Sequence, residues 1–203
     1  MKSLSEIETI SKRATKAAGF SWGIAEEVGK NIRILEMFGL SGIKNLNYYI
    51  KAKSNNNYEQ LKLLSSDNKS IKDNFCPIIS GVGFMDQVRS LENFDEIKFE
   101  KIAYPILFLP FISRASEIIG KKISLTIDNK SFLLNYNNCI YTNSLNNGII
   151  ELGSNVVINF LENLDSFNEK EWNELYIQSK KTFVDESESL KHDGAGAGLT
   201  DND

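Results

Sequence analysis

Histidine is almost missing from this sequence: the only one in 203 residues is His192, close to the C-terminus. A zinc or iron site built on several imidazoles is therefore excluded within one chain. A Ser-His-Asp or Cys-His catalytic set would have to recruit its base from the tail. Cysteine is scarce as well. Cys76 and Cys139 stand far apart with no CxxC pair, which excludes a cysteine-built structural zinc site or a thioredoxin-like redox motif. The two could form one disulfide or remain buried free thiols. Positive charge is not in excess: the net charge is −4, which argues against a nucleic-acid partner held through phosphates. Long apolar runs are absent too. The longest, from Ile102 to Ile112, is broken by Pro105 and Pro110 and falls short of the roughly 18–20 residues of a membrane helix. The opening Met-Lys-Ser-Leu-Ser-Glu-Ile-Glu has no apolar stretch of the signal-peptide kind, so the expected location is cytoplasmic, with no membrane partner. Neither GxGxxG nor GxxxxGK[ST] occurs, and Gly81-Val82-Gly83 alone is a very weak nucleotide signal. No cofactor and no metal are expected.

What the sequence does contain is enough apolar material for a sizeable core. It is 41% hydrophobic and 25% charged, unlike a disordered, collagenous or disulfide-stapled chain. Its richness in Asn, Lys and Ile reads as codon bias. A first helix is expected from Leu4 to Ala18, with Ser3 and Glu6 as a capping box and Ile7, Ile10, Ala14 and Ala17 at helical spacing. Gly19 ends it. A second helix starts near Ser21 or Trp22 and carries Ile24, Val28, Ile32, Leu35 and Phe38 before Gly39. A third spans about Gly42 to Ala52, with more helix open up to Leu64, and residues 65–74 read as irregular. The stretch from Cys76 to Asp86 alternates small and large residues and is compatible with a helix or with a buried strand and turn. Pro105 to Ile119 reads as a buried helix, apolar nearly all round and closed by Gly120.

The period then changes. Ile123, Leu125 and Ile127 alternate with polar residues, Asp128-Asn129-Lys130 makes a turn, and Phe132 to Tyr136 returns, which is a β-hairpin signal. Cys139–Thr142, Ile149-Ile150 and Val156–Phe160 read as further strands. Ser166 with Glu169 forms a second capping box, opening a helix to about Lys180 with Trp172, Leu175 and Tyr176 inside. The fold class expected is α+β: an N-terminal helical region, a small antiparallel sheet, a C-terminal helix and an extended glycine-rich tail. The domain reading is a single globular domain over residues 1–184 (helical 1–120, β-rich 121–165, closing helix 166–180), with residues 185–203 docking on it.

That tail is acidic. Six of its residues are Asp or Glu and one is Lys, so the net negative charge of the chain comes from it. It ends Gly194-Ala195-Gly196-Ala197-Gly198-Leu199-Thr200-Asp201-Asn202-Asp203. Gly-Ala-Gly-Ala-Gly can lie flat in a narrow groove or present successive N–H groups to an anion, or it is simply a frayed terminus. The Asp-Asn-Asp end with its α-carboxylate could also hold a divalent cation.

Several side chains are candidates for chemistry, each with an ordinary structural alternative. Ser21 is explained as an N-cap. Trp22 is a core anchor or a pocket wall. Glu26 and Glu27 lie off the apolar stripe of their helix. Glu26 with Lys30 makes an ordinary i,i+4 pair, unless one carboxylate faces a cleft as a general base or amine anchor, a task that needs a raised pKa. Asp86, near Arg89, is a cap, an ion-pair partner or a catalytic acid. Arg114 pairs with Glu117 on its own helix or aims at a carboxylate ligand.

The segment Ala17-Ala18-Gly19-Phe20-Ser21-Trp22-Gly23-Ile24-Ala25-Glu26-Glu27-Val28-Gly29 resembles the opening of an uncharacterised bacterial family, DUF3726. The likeness continues around Cys76-Pro77 and Asp86, at Pro105 and Pro110, and in the glycine-rich terminus. Members often carry an Arg just upstream of the glycines, where this chain has Ser189-Leu190-Lys191. The family brings no activity with it; the resemblance implies that the tail belongs to the design of the fold. The functional expectation is a cytoplasmic enzyme, or a subunit of one, acting on a small polar metabolite such as an amino or hydroxy acid. It would use carboxylate acid–base chemistry as an isomerase, lyase or hydrolase, with the tail lining the site. Glu26, Glu27 and Asp86 are the catalytic candidates. Trp22, Cys76, Arg114, Gly194, Gly196, Gly198, Thr200, Asp201, Asn202 and Asp203 are the substrate-binding candidates. The alternative is a non-catalytic binding or assembly protein whose tail docks into a partner or a neighbouring subunit, and a homo-oligomer stays open.

Overall fold

The computed structural model describes residues 2–144, 148–162 and 164–182. The chain divides into two compact units, Met1–Asn163 and Leu164–Asp203. The glycine-rich tail and all of its candidate residues, Gly194 to Asp203, lie outside the described residues.

The first unit opens with three helices, α1 (Leu4–Ala17), α2 (Trp22–Met37) and α3 (Gly42–Lys53). Both expected serine caps are present: Glu6 N donates to Ser3 Oγ at 3.2 Å and Ile24 N to Ser21 Oγ at 3.3 Å. The Glu6 carboxylate turns to Lys2. α3 starts differently. Ser41 takes a left-handed φ of 51° and gives no side-chain cap; Glu36 from α2 accepts the Ile43 N–H instead at 2.8 Å. α3 stops at Lys53 rather than running on toward Leu64, because Asn56 folds back to donate to the Ala52 carbonyl and the chain leaves extended at Tyr58–Glu59.

The undecided segment is a helix, α4 (Pro77–Leu91), entered by proline and capped by the Cys76 thiol. A buried turn of 3-10 helix (Pro105–Leu107) leads into α5 (Leu109–Ile119), which is shorter than the single helix expected from Pro105. α4 and α5 pack together so closely that a Cβ on Gly81 would stand 2.2 Å from the Phe111 ring. This is why small residues alternate along α4.

The main sheet has six strands in the order β1 (Asp67–Asn68), β2 (Ile97–Phe99), β8 (Val156–Leu161), β4 (Lys122–Ile127), β5 (Lys130–Asn135) and β6 (Cys139–Thr142). All pairings are antiparallel except β1 with β2. The β4–β5 turn is the one the sequence indicates, with Asp128 at a φ of 52° and its carboxylate accepting from Ser154 N and Asn155 N, both at 3.0 Å. A separate pair joins β3 (Ile102–Ala103) to β7 (Leu152–Gly153), so the strand expected at Ile149-Ile150 forms slightly later. Ile123, Leu125, Ile127, Phe132, Leu134 and Ile158 point into the core, where Phe75, Phe84, Phe99 and Phe108 meet mostly edge to face. The fold is α+β.

The second unit is described over residues 164–182 and contains α6 (Glu169–Ser179). Its capping box belongs to Asn168 with Glu171, not Ser166 with Glu169: Asn168 Oδ1 takes the Glu171 N–H at 3.0 Å and Glu171 Oε2 takes the Asn168 N–H at 2.8 Å. Trp172, Leu175 and Tyr176 are exposed rather than inside.

Candidate functional site

Two places among the described residues of the first unit gather candidate side chains: a charged seam between helices and a cleft lined with tyrosine.

The seam contains three of the candidate residues. Glu26 is exposed and lies 3.0 Å from Lys12 on α1 and 3.5 Å from Lys30. The hydrogen bond and charge of Lys12, then those of Lys30, hold its carboxyl below the usual range. Glu27 is half-buried between Lys30, at 3.0 Å, and Arg114 of α5. Burial is the largest single influence on Glu27 and pushes it up, but the hydrogen bonds and charges of Lys30 and Arg114 together outweigh it and leave the group lowered. Arg114 does not pair with Glu117 on its own helix. It crosses to Glu27 and to Asn31 Oδ1, 3.2 Å away. Glu8 and Arg33 add another α1–α2 pair at 3.1 Å. A general base needs a carboxylate whose charged form is disfavoured. In the seam the charged forms are favoured, and the geometry is that of a clamp holding α1, α2 and α5.

Trp22 is at the first turn of α2 and 57% exposed, with the Lys16 ammonium 5.5 Å from its ring, so it is not a core anchor. Asp86 is exposed on α4, away from any N-cap position. The seam, Trp22 and Asp86 are not brought together in one cleft.

Cys76 leads to the second place. Its buried thiol lies 3.0 Å from the Tyr49 hydroxyl and accepts weakly from Ile79 N at 3.5 Å. Burial pushes the thiol pKa up, and burial foremost pushes up that of the Tyr49 phenol, so both stay protonated at neutral pH. Cys139 is half-buried, and both cysteines are free thiols. Tyr58 stacks on Tyr49 with ring centroids 5.3 Å apart, and Tyr104 meets Tyr49 edge-on at 5.9 Å and 77°.

Backbone hydrogen bonds assemble this group from four distant segments. Cys76 N donates to Glu59 O, Ala103 N to Phe75 O and Tyr104 N to Glu151 O, at 2.9, 3.1 and 2.9 Å. Tyr58, Cys76, Tyr104 and Glu151 therefore converge although almost a hundred residues separate the first from the last. Tyr104 itself has a φ of 44°. That is a genuine outlier for a bulky residue, and the following Pro105 restricts it further. Such strain costs on the order of 1–3 kcal/mol and collects at functional sites.

Two adjoining hollows share Asn56, Asn57 and Tyr58. The smaller, about 150 Å³, reaches Phe20, Tyr49, Lys53 and Cys76. The larger, about 410 Å³, is walled by Tyr104, Glu151, Lys72, Asp73 and Asn74. The Lys53 ammonium donates to Ala18 O at 3.2 Å and stands 5.2 Å from the Phe20 ring. Burial raises the Tyr58 and Tyr104 phenols, and the nearby Glu151 charge acts in the same direction on both. The cleft thus offers neutral hydroxyl donors, aromatic surface, one cation at each end and the carboxylates of Asp73 and Glu151. Among the described residues, Cys76 is the one catalytic or substrate-binding candidate from the sequence that belongs to it. Tyr49, Tyr58, Tyr104 and Glu151 carry no spacing that would have shown them; the one local signal is an aromatic residue directly before Pro105.

No helix among the described residues is long and apolar enough to cross a membrane. No curated protein and no solved structure matches the chain. Residues 2–75, which include α1 to α3, Tyr49 and Tyr58, match the family model described as a protein of unknown function, DUF3726, and over that segment the chain is similar to the DUF3726 family.

Proposed function

We propose that the chain is an enzyme, or a subunit of one, that takes a small polar metabolite into the tyrosine-lined cleft. The observation that carries this reading is the strained Tyr104, held at a positive φ where it lines a polar hollow with Tyr58 and Glu151 and meets Tyr49 edge-on. A concave site with a few convergent polar groups and shifted titrations is the default location for ligand chemistry. In this reading the carboxylate work passes from Glu26 and Glu27, which are engaged by cations, to Asp73 and Glu151. The protonated phenols orient the ligand by hydrogen bonding. The test is a metabolite screen on the full chain followed by tyrosine fluorescence and ligand-observed NMR. Hits should bind wild type and weaken at least about tenfold in Y104F or E151Q, the size expected for a lost hydrogen bond to a charged group. A screen in which no compound perturbs the cleft tyrosines rejects the reading.

A second reading, a binding or assembly protein, draws on α6. Trp172, Leu175, Tyr176 and Ile177 are all exposed on one short helix, more apolar surface than a solvated helix needs. Sedimentation of the full chain against W172A/L175A separates the two readings: a fall in mass favours assembly.

A further inference from the structure

The character of the cleft points to the charge its ligand carries. Tyr58 has one face on Tyr49, Tyr104 stands nearly perpendicular to Tyr49, and both line the larger hollow. The backbone hydrogen bond from Tyr104 N to Glu151 O brings the Glu151 side chain to the same hollow, which both tyrosines line. Lys72, Asp73 and Glu151 are the charged residues that line the larger hollow. One basic and two acidic side chains leave the larger hollow net negative. Aromatic faces beside a carboxylate attract an organic cation and repel an anion. The opposite holds in the smaller hollow, where Lys53 is the charged group.

We propose that the cleft takes a small organic ammonium metabolite, its cationic group seated between the rings of Tyr58 and Tyr104 and the carboxylate of Glu151. The assignment rests on the reading of the cleft as a metabolite site and adds the ligand's chemical class. An ammonium that is also a carboxylic acid would lie with its carboxylate toward Lys53 and Phe20. The phenols fit this role. Burial and the Glu151 charge keep both protonated, so neither becomes a competing anion, and each ring keeps its quadrupole.

The test uses the full chain and three probes: choline, its uncharged isostere 3,3-dimethylbutan-1-ol, and acetate, each titrated to millimolar concentration by tyrosine fluorescence. The expected result is saturable choline binding, at least about tenfold weaker for the isostere, with choline affinity falling by a similar factor in E151Q and in Y104L. E151Q, a change at an exposed side chain, carries the test alone where Y104L fails to fold. Equal binding of choline and its isostere, preference for acetate, or an unchanged choline affinity in E151Q overturns the ammonium assignment and leaves a metabolite cleft of different selectivity. No saturable choline binding overturns it as well. In that case hits from the wider metabolite screen show the cleft still to be a site, and an empty screen rejects both.

Discussion

Adding one methyl group to Gly81 should destabilise the protein, although the same change at Gly23 should help. In both positions Ala is the better helix former. At Gly23, in the first turn of α2, nothing stands within 4 Å of an added Cβ, so the gain of about 0.5 kcal/mol should be realised. At Gly81 the new atom would sit 2.2, 2.5 and 2.8 Å from three atoms of the Phe111 ring. Phe111 is fully buried, so the ring has no open side to swing to, and it must retreat by more than an ångström against α5. Overpacking of that severity costs about 3 kcal/mol, which exceeds the helical gain of about 1 kcal/mol and leaves a net loss of about 2 kcal/mol. The two variants should then be separated by roughly 5–10 °C in melting temperature for a domain of this size. Thermal unfolding by circular dichroism, with urea midpoints as a check, reads both. If G81A melts at or above wild type, α4 and α5 are not in the contact described and the close-packing argument fails.

Other consequences are as direct. Glu27 has a lowered pKa in the fold, so its pair with Arg114 and Lys30 contributes stability that is present above its ordinary value of 4.5 and lost as pH falls through the folded value. Melting temperature should therefore drop on acidification below about pH 4.5, and E27Q should flatten that drop while lowering stability at pH 7; an unchanged slope in E27Q refutes the clamp. Cys76 is buried and hydrogen-bonded while Cys139 is half-exposed. Native protein should thus label quickly with a thiol reagent at one site per chain and at two in denaturant, with mass spectrometry placing the fast label on Cys139. D128A should lose about 2 kcal/mol, because the carboxylate that accepts from Ser154 N and Asn155 N disappears and alanine tolerates the positive φ poorly; D128N should recover part of it.

Much of the fold was legible because it is written in local chemistry. Ser3 and Ser21 announce α1 and α2, and the alternation from Ile123 to Ile127 announces β4. What was not legible has physical reasons. Strands of two or three residues, such as β1, β2 and β3, are too short to show a period. The first half of α4, Pro77 to Met85, is nearly all apolar or small, so its glycines could signal a helix packed closely or a strand approached closely. On α1 the buried polar residues are Ser11 and Thr15, while Ile10 is exposed. Thr15 satisfies itself by donating to the Ser11 carbonyl, a device that lets a polar face pack and defeats a reading by hydrophobic spacing.

The candidate site shows the same limit in sharper form. Glu26 and Glu27 are conspicuous in sequence because two acids adjoin on a recognisable helix. The same regular helix that makes them conspicuous sets Lys30 within reach of both, and α1 and α5 supply Lys12 and Arg114. A carboxylate surrounded this way spends its charge on helix packing. The cleft has the opposite logic. Tyr58 follows a polar loop, Tyr104 occupies an unfavourable backbone conformation before a proline, and Glu151 adjoins a two-residue strand. Backbone hydrogen bonds through Glu59, Phe75 and Ala103, together with the short β3–β7 pair, bring them together. Residues placed where regular structure does not need them are free to serve a ligand. For that reason the proposed chemistry rests on Glu151 and the tyrosines rather than on the acids that first draw the eye.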